Sequence, residues 1–399
     1  MGWLQLAGLA MVGGGSAFIV YTFLGYPLLL RIAGRPSAGE GDRGEPHGAD
    51  FPTVSITVPV YNELHQIEDL LESLVALEYP RDRLQILIVS DGSDDGTDDV
   101  VEAWADQGVE LLRVGERGGK GAAENAARSH LRGEIVVNTD ASIRIRPGAL
   151  GPLLAPFQDP SVGVVSGRDV SVSSQEADAN TGEAGYVGYE MWVRDLETRA
   201  GGIVGASGCL YAIRRELHDE EVPPEVSRDF AAALIARDRG YKALSAADAL
   251  CYVPRTDSLS REYHRKVRTV ARGMAALLAW RHLLNPLRHP RFSWKLFSHK
   301  VCRWLLPVAL LVILWGVVVL VPSHPSAAIA LVAAVVLAAV GAVGWLLGRT
   351  GRPLPRALSG PAFLLMSNLA VLHAMGRALR GGSERLWEPT RRRKRPGAG

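Results

Sequence analysis

The chain has 399 residues, with 44 lysines and arginines against 42 aspartates and glutamates, a formal net charge of +2. That length holds one large domain or two ordinary ones, and so small a charge gives no bulk attraction to nucleic acid. The three cysteines, Cys209, Cys251 and Cys302, form no CxxC pair, which excludes zinc-ligand spacing and a disulfide framework and fits a reducing compartment.

Residues 3–30 carry no charged side chain. At about 1.5 Å per residue such a run crosses a hydrocarbon core of about 30 Å. It is too long for the h-region of a secretory signal and has no Lys or Arg before it. Arg31 and Arg35 follow it and place its carboxyl end inside by the positive-inside rule. Residues 1–33 are therefore expected to be a retained anchor. Gly34, Pro36, Gly39, Gly41, Gly44, Pro46 and Gly48 make residues 34–52 a flexible linker.

The periodicity then changes. Residues 53–60 form a β-rich apolar run, and residues 62–77 have helical spacing at Ile67, Leu70, Leu71, Leu74 and Val75. Further strands are expected at 84–90, 109–114 and 134–138, with helices near 94–107 and 119–131 between them. Short apolar strands alternating with helices predict a mostly parallel sheet covered on both faces, an α/β fold. Residues 169–184 turn polar and small, which suits a surface loop or a lid over a ligand site. A helix over 186–199, a strand over 208–214, a helix over 229–239 and a strand after Gly240-Tyr241 follow. Residues 283–300 mix Arg, His and Lys with Leu, Phe and Trp294, as in a helix lying in a membrane interface.

Residues 305–348 carry no Asp, Glu, Lys or Arg, and two spans, near 302–321 and 327–347, return the chain inside, in agreement with Arg349, Arg352 and Arg356. A third such stretch, 357–376, leads to Arg377, Arg380 and the basic run Arg391–Arg395. A full crossing would put that tail outside. The stretch, interrupted by Pro361, Ser367, Asn368 and His373, is therefore expected to be re-entrant or interfacial.

Acidic residues recur at predicted strand ends, where open α/β sheets bind ligands. Val58-Pro59-Val60-Tyr61-Asn62-Glu63 closes the first strand and Asp91-Gly92-Ser93-Asp94-Asp95-Gly96-Thr97 the second. The latter nearly fits a calcium loop, with Asp95, Gly96 and Glu102 at positions five, six and twelve, but a calcium loop follows a helix and residues 84–89 are strand-like. An acid ending a strand can instead bind a nucleobase or ribose. Gly118-Gly119-Lys120-Gly121 lacks the GxxxxGK[ST] spacing; a lysine at a helix amino terminus can still meet a diphosphate, or simply be exposed. Asp140-Ala141-Ser142 offers a single acid, a cation ligand or an ordinary turn. Asp229 at a helix start reads as a cap or as a general base. Arg265-Lys266-Val267-Arg268 and Arg272 face lipid headgroups or a departing nucleoside diphosphate.

With these residues in order, the chain resembles the membrane-integrated glycosyltransferases of family 2, the class of the cellulose, chitin, hyaluronan and poly-N-acetylglucosamine synthases. The resemblance implies a Rossmann-like GT-A domain flanked by transmembrane helices and an inverting mechanism. By it, Pro59, Tyr61, Glu63, Asp91, Lys120 and Asp140 line the nucleotide-sugar site, and Asp140 binds a divalent cation, Mg2+ or Mn2+. Asp229 is implied as catalytic base, Arg268 as a helper on the diphosphate, and Gly208 and Cys209 as the acceptor side. Ser142 replaces the second Asp of the family's Asp-x-Asp, and Arg228 replaces the acid before Asp229. Residues 265–269 stand where processive members carry Gln-x-x-Arg-Trp, so processive and single addition both stay open.

The implied division is an anchor at 1–33, a linker at 34–52 and a cytosolic GT-A domain at 53–282. An interfacial helix at 283–300, a membrane region at 301–379 and a basic tail at 380–399 follow. The expected protein is a multi-pass enzyme of the plasma (inner) membrane. It moves sugar from a nucleotide donor, with UDP-sugars first, to a saccharide or lipid-linked acceptor in cell-surface polysaccharide synthesis. The alternative is a non-catalytic nucleotide-sugar-binding subunit. Partners are donor, acceptor and bilayer, with no nucleic acid and room for an export partner or oligomer.

Overall fold

Seven consecutive buried residues place Val54–Val60 (β1) inside the sheet, since a strand covered on both faces reads as one apolar run. The computed structural model describes residues 2–34, 51–172, 181–254, 259–349 and 354–380. Its other strands are β2 (Leu84–Ser90), β3 (Val109–Arg113), β4 (Ile135–Thr139), β5 (Arg144–Ile145), β6 (Val162–Val172), β7 (Leu210–Arg214) and β8 (Lys242–Pro254). They form one sheet in the order β3-β2-β1-β4-β7-β6-β8-β5. Strands β1 to β4 run parallel, β7 is antiparallel to β4 and β6, and β8 runs parallel to β6. The mostly parallel α/β sheet is as expected.

Alternation along the strands splits the core between two faces. Ile56, Val58 and Val137 pack with Leu70, Leu71 and Leu74 of helix Ile67–Val75. Leu87, Val136 and Tyr211 pack on the other face with Ala123 of helix Lys120–Ala127 and Leu234 of helix Arg228–Asp238. The register row Thr57, Asn138 and Tyr211 crosses β1, β4 and β7.

One element differs from the sequence reading. Residues 169–172, expected in a surface loop, continue β6 and pair with Cys251–Pro254 of β8. Asp169 accepts the Ser207 hydroxyl at 2.7 Å, so its polarity is met by the protein instead of by solvent. Helix Thr181–Arg199 also begins earlier than expected. The centre of that polar segment (173–180), most of the linker and the tail beyond Arg380 lie outside the described residues.

Among the described residues, three helices are long and apolar enough to cross a membrane: Trp3–Ala33, Pro325–Gly348 and Ala357–Leu379. Helices Pro290–Trp304 and Leu306–Leu320 meet at 57° and make a fourth candidate if counted together. Small residues let them approach closely. A Cβ on Gly316 would lie 2.9 Å from Gly8 O, and one on Gly344 would lie 2.7 Å from Leu358 O. The anchor is also tied to the α/β domain by a buried polar cluster: the Tyr26 hydroxyl donates to Glu197, and His299 lies 2.7 Å from Glu197 and 2.9 Å from Glu190.

The last helix, Arg356–Leu379, is unbroken despite Pro361, and Asn368 spends its amide on Leu364 O at 2.8 Å. Its Ala370 and Ala374 pack on Val267 of helix Leu259–Ala279. Apolar length allows this helix to span, and the packing holds it to the domain.

Candidate active site

Strands β1, β2 and β4 are parallel, so their carboxyl ends open on one edge of the sheet, where the chain must turn and polar groups collect. The loops after β1 and β2 are laced together there. Asn62 Nδ2 donates to Asp94 Oδ1 at 2.7 Å, and the Asp94 N–H returns a bond to Asn62 Oδ1 at 3.0 Å. Asn62 adopts φ 52, a conformation that asparagine tolerates better than most residues. Asp95 accepts bonds from Leu64 N–H and from Thr97 N–H and hydroxyl. Burial raises its pKa, but these donors outweigh burial and lower it overall. The acids of this loop thus act as local caps, and a strand, not a helix, precedes them.

Asp91 is 1 % exposed. Its two oxygens accept Gly118 N–H at 2.9 Å and Gly119 N–H at 2.8 Å. Gly119 sits at φ 87, which a side chain would strain. The carboxylate therefore fixes the turn that launches helix Lys120–Ala127, with Lys120 as its first residue. The sequence reading had Asp91 facing nucleotide. The structure shows it also holding the backbone of the Gly118–Gly119 turn, with one N–H bond to each oxygen. Pro59 is buried in β1 opposite Val89, and Glu63, 2 % exposed, receives Gln66 Nε2. Both support the edge from behind, whereas Tyr61 is partly exposed on it. The guanidinium of Arg117 lies 3.8 Å above the Tyr61 ring centre. Sequence reasoning missed Arg117; its place just before the glycine turn was the available signal.

Asp140 follows β4 and remains partly exposed. Lys120 Nζ pairs with it and lies 3.8 Å from Glu124 Oε1. Burial lowers the Lys120 pKa, but Asp140, Glu124 and Asp229 outweigh burial and raise it, so the ammonium persists. Asp229 is near enough for its charge to add to that shift.

Asp229 lies in the first turn of helix Arg228–Asp238 and accepts the Ser227 hydroxyl. A Cβ on Gly208 would lie 3.0 Å from Asp229 Oδ2, so the glycine leaves room for that carboxylate. Cys209 O accepts the Thr139 hydroxyl at 2.7 Å, which stitches this turn to the end of β4. Arg268 is half-buried on helix Leu259–Ala279. One turn on, Arg272 donates to Pro224 O at 3.0 Å and Val226 O at 2.9 Å, bracing the loop before Asp229. Asp140, Lys120, Asp229 and Gly208 thus converge, with Cys209 stitched beside them.

No group of three His, Cys, Asp or Glu side chains among the described residues could by itself hold a metal ion. A single carboxylate still suits Mg2+ or Mn2+ when substrate phosphates and water complete the shell. Asp140, partly exposed beside a cationic lysine, fits that donor set.

The sequence pattern of Glycosyl transferase family 2 matches residues 55–221. A "Beta-monoglucosyldiacylglycerol synthase" of Trichormus variabilis is 30% identical over 224 residues, 54% of this chain and 47% of its own length. An "Undecaprenyl-phosphate 4-deoxy-4-formamido-L-arabinose transferase" of Shewanella sediminis is 30% identical over 125 residues, 30% of this chain and 38% of its own. The match thus spans about half the length of the first relative (47%) and less of the second (38%). Among solved structures, mannosyltransferase PcManGT from Pyrobaculum calidifontis, in complex with GDP-Man and Mn2+, aligns with a TM-score of 0.70 and 24% identity. That alignment covers 94% of this chain and 99% of the other, and it shows a shared fold.

Proposed function

Because this chain carries a Glycosyl transferase family 2 domain, we propose that it is a membrane-bound inverting glycosyltransferase whose acceptor arrives from the membrane surface. One observation carries the acceptor reading. Phe230, adjacent to the proposed base Asp229, packs edge-on against Trp304 at 6.4 Å and lies under Lys300 Nζ at 5.4 Å. Both partners sit at the end of helix Pro290–Trp304, where it meets the apolar helix Leu306–Leu320. The names of the relatives support the same direction, since one refers to a diacylglycerol product and another to undecaprenyl phosphate.

In this reading the donor's base lies near Tyr61 and Arg117, and its diphosphate lies between Lys120, Asp140 and Arg268. A divalent cation held by Asp140 would neutralise the diphosphate when bound. Asp229 takes the proton of the acceptor hydroxyl or acid as that oxygen attacks the anomeric carbon. The bond from that carbon to the diphosphate oxygen breaks, and its electron pair leaves with the nucleoside diphosphate. The protonated Lys120 meets the charge that develops. One displacement turns an α-linked donor into a β-linked product. Gly208 and Cys209 line the acceptor side. Arg31 and Arg35, after the first span, support a cytosolic catalytic domain within 53–282. The basic residues after Ala357–Leu379 favour an interfacial course for that helix.

Membranes bearing the protein should be supplied with labelled UDP-glucose and, separately, GDP-mannose, and then extracted with organic solvent. Label is expected in the lipid phase. Label confined to a solvent-insoluble polymer would favour saccharide extension over a lipid acceptor.

A further inference from the structure

Glu124 stands between the donor side and the proposed base. It is 4 % exposed, on helix Lys120–Ala127, with one carboxylate oxygen 3.8 Å from Lys120 Nζ and the other 3.7 Å from Arg228 Nε. Arg228 is 6 % exposed and opens the helix that carries Asp229. Its guanidinium donates to Asn125 Oδ1 and to His218 O at 3.3 Å, while Nε makes no hydrogen bond among the described residues. Helix Lys120–Ala127 also touches the loop before the Asp229 helix, because a Cβ on Gly121 would lie 2.9 Å from Pro224 Cα. Tyr211 lies beneath them, buried, and its hydroxyl makes no hydrogen bond among the described residues. Burial first, and then the charge of Glu124, raises the pKa of that phenol and keeps it neutral.

A buried ion pair is a poor source of stability, because a well-packed apolar pair of similar size does as well. Its value here lies in where the charges stand. Lys120 has two carboxylates in reach, Asp140 and Glu124, and its flexible stem allows exchange between them. While Lys120 holds Asp140, that carboxylate is not free for a donor and its cation.

We propose that Glu124 is a positioning residue: it receives the Lys120 ammonium when Asp140 turns to the donor, and it holds Arg228, and so the Asp229 helix, against the donor side. Arg228 is then the counter-charge to Glu124. This inference rests on the transferase reading above.

The full-length protein in lipid nanodiscs tests it, with nucleoside diphosphate release measured from UDP-glucose or GDP-mannose, whichever it turns over. Glu124→Gln is expected to lower the melting temperature, since Arg228 is left uncompensated. Glu124→Gln combined with Arg228→Gln should restore the melting temperature yet keep the donor KM raised about tenfold. Glu124→Asp keeps the charge but shortens its reach. It should raise donor KM several-fold at a nearly unchanged melting temperature. Recovery of both stability and KM in the double variant would reduce Glu124 to a structural partner and overturn the proposal. Where the double variant fails to fold, an unchanged KM in Glu124→Asp overturns it. A wild-type protein inactive with every donor would instead remove the transferase reading, and this inference with it.

Discussion

Replacing Asp229 with asparagine is expected to lower kcat by about 10²–10⁴-fold, the range for losing a positioned general base. The change keeps the shape of a side chain in the first helical turn, where the Ser227 hydroxyl meets it and Gly208 leaves it room. It removes the basicity that the acceptor proton requires. The melting temperature and nucleoside diphosphate affinity should stay close to wild type, because the carboxylate pairs directly with neither the glycine turn nor Asp140. Progress curves for nucleoside diphosphate release, beside a binding titration with UDP or GDP, separate the two. Near-normal turnover in Asp229→Asn would move the base elsewhere.

Asp91→Asn should act by a different route. The wild-type carboxylate accepts two backbone N–H groups from inside the protein. An asparagine has one acceptor oxygen and turns an NH2 toward the other donor. A buried N–H left unpaired costs about 1–3 kcal/mol, and the charge-assisted character of the remaining bond is lost as well. A fall in unfolding free energy of about 2–4 kcal/mol is therefore expected from denaturant titration. Lys120 follows directly on that turn, so donor KM should rise by about tenfold in whatever protein stays folded. Unchanged stability would show that the turn at Gly118 and Gly119 holds its shape without Asp91.

These two residues also show how far the sequence could be read. The strand that leads to Asp91 was legible, like its neighbours, because β1, β2 and β4 are apolar runs bounded by turn residues and buried on both faces, whereas Asp229 opens a helix. The acids at their ends followed from strand direction. The sequence did not reveal which partner each acid would find. Asp91 reads as a ligand-facing carboxylate, and only the fold shows that Gly118 and Gly119 each donate to one of its oxygens. Arg228 looks like a departure from a motif until Glu124, more than 100 positions away, is placed beside it. Arg117 belongs to no motif, and only folding puts it over Tyr61. The polar residues 169–172 read as a loop because their partner strand β8 comes some 80 residues later, with Asp169 opposite Cys251. Long-range pairing of charges and strands leaves little local periodicity, and periodicity is what a single sequence displays.

The most direct measurement is nucleoside diphosphate release by the purified full-length protein in a membrane mimic, across UDP-, GDP- and TDP-sugars with Mg2+ or Mn2+. A membrane lipid extract supplies the acceptor. Release with one donor, dependent on added lipid and lost in Asp229→Asn, is the predicted result. Absence of both donor binding and release across the panel would contradict the account.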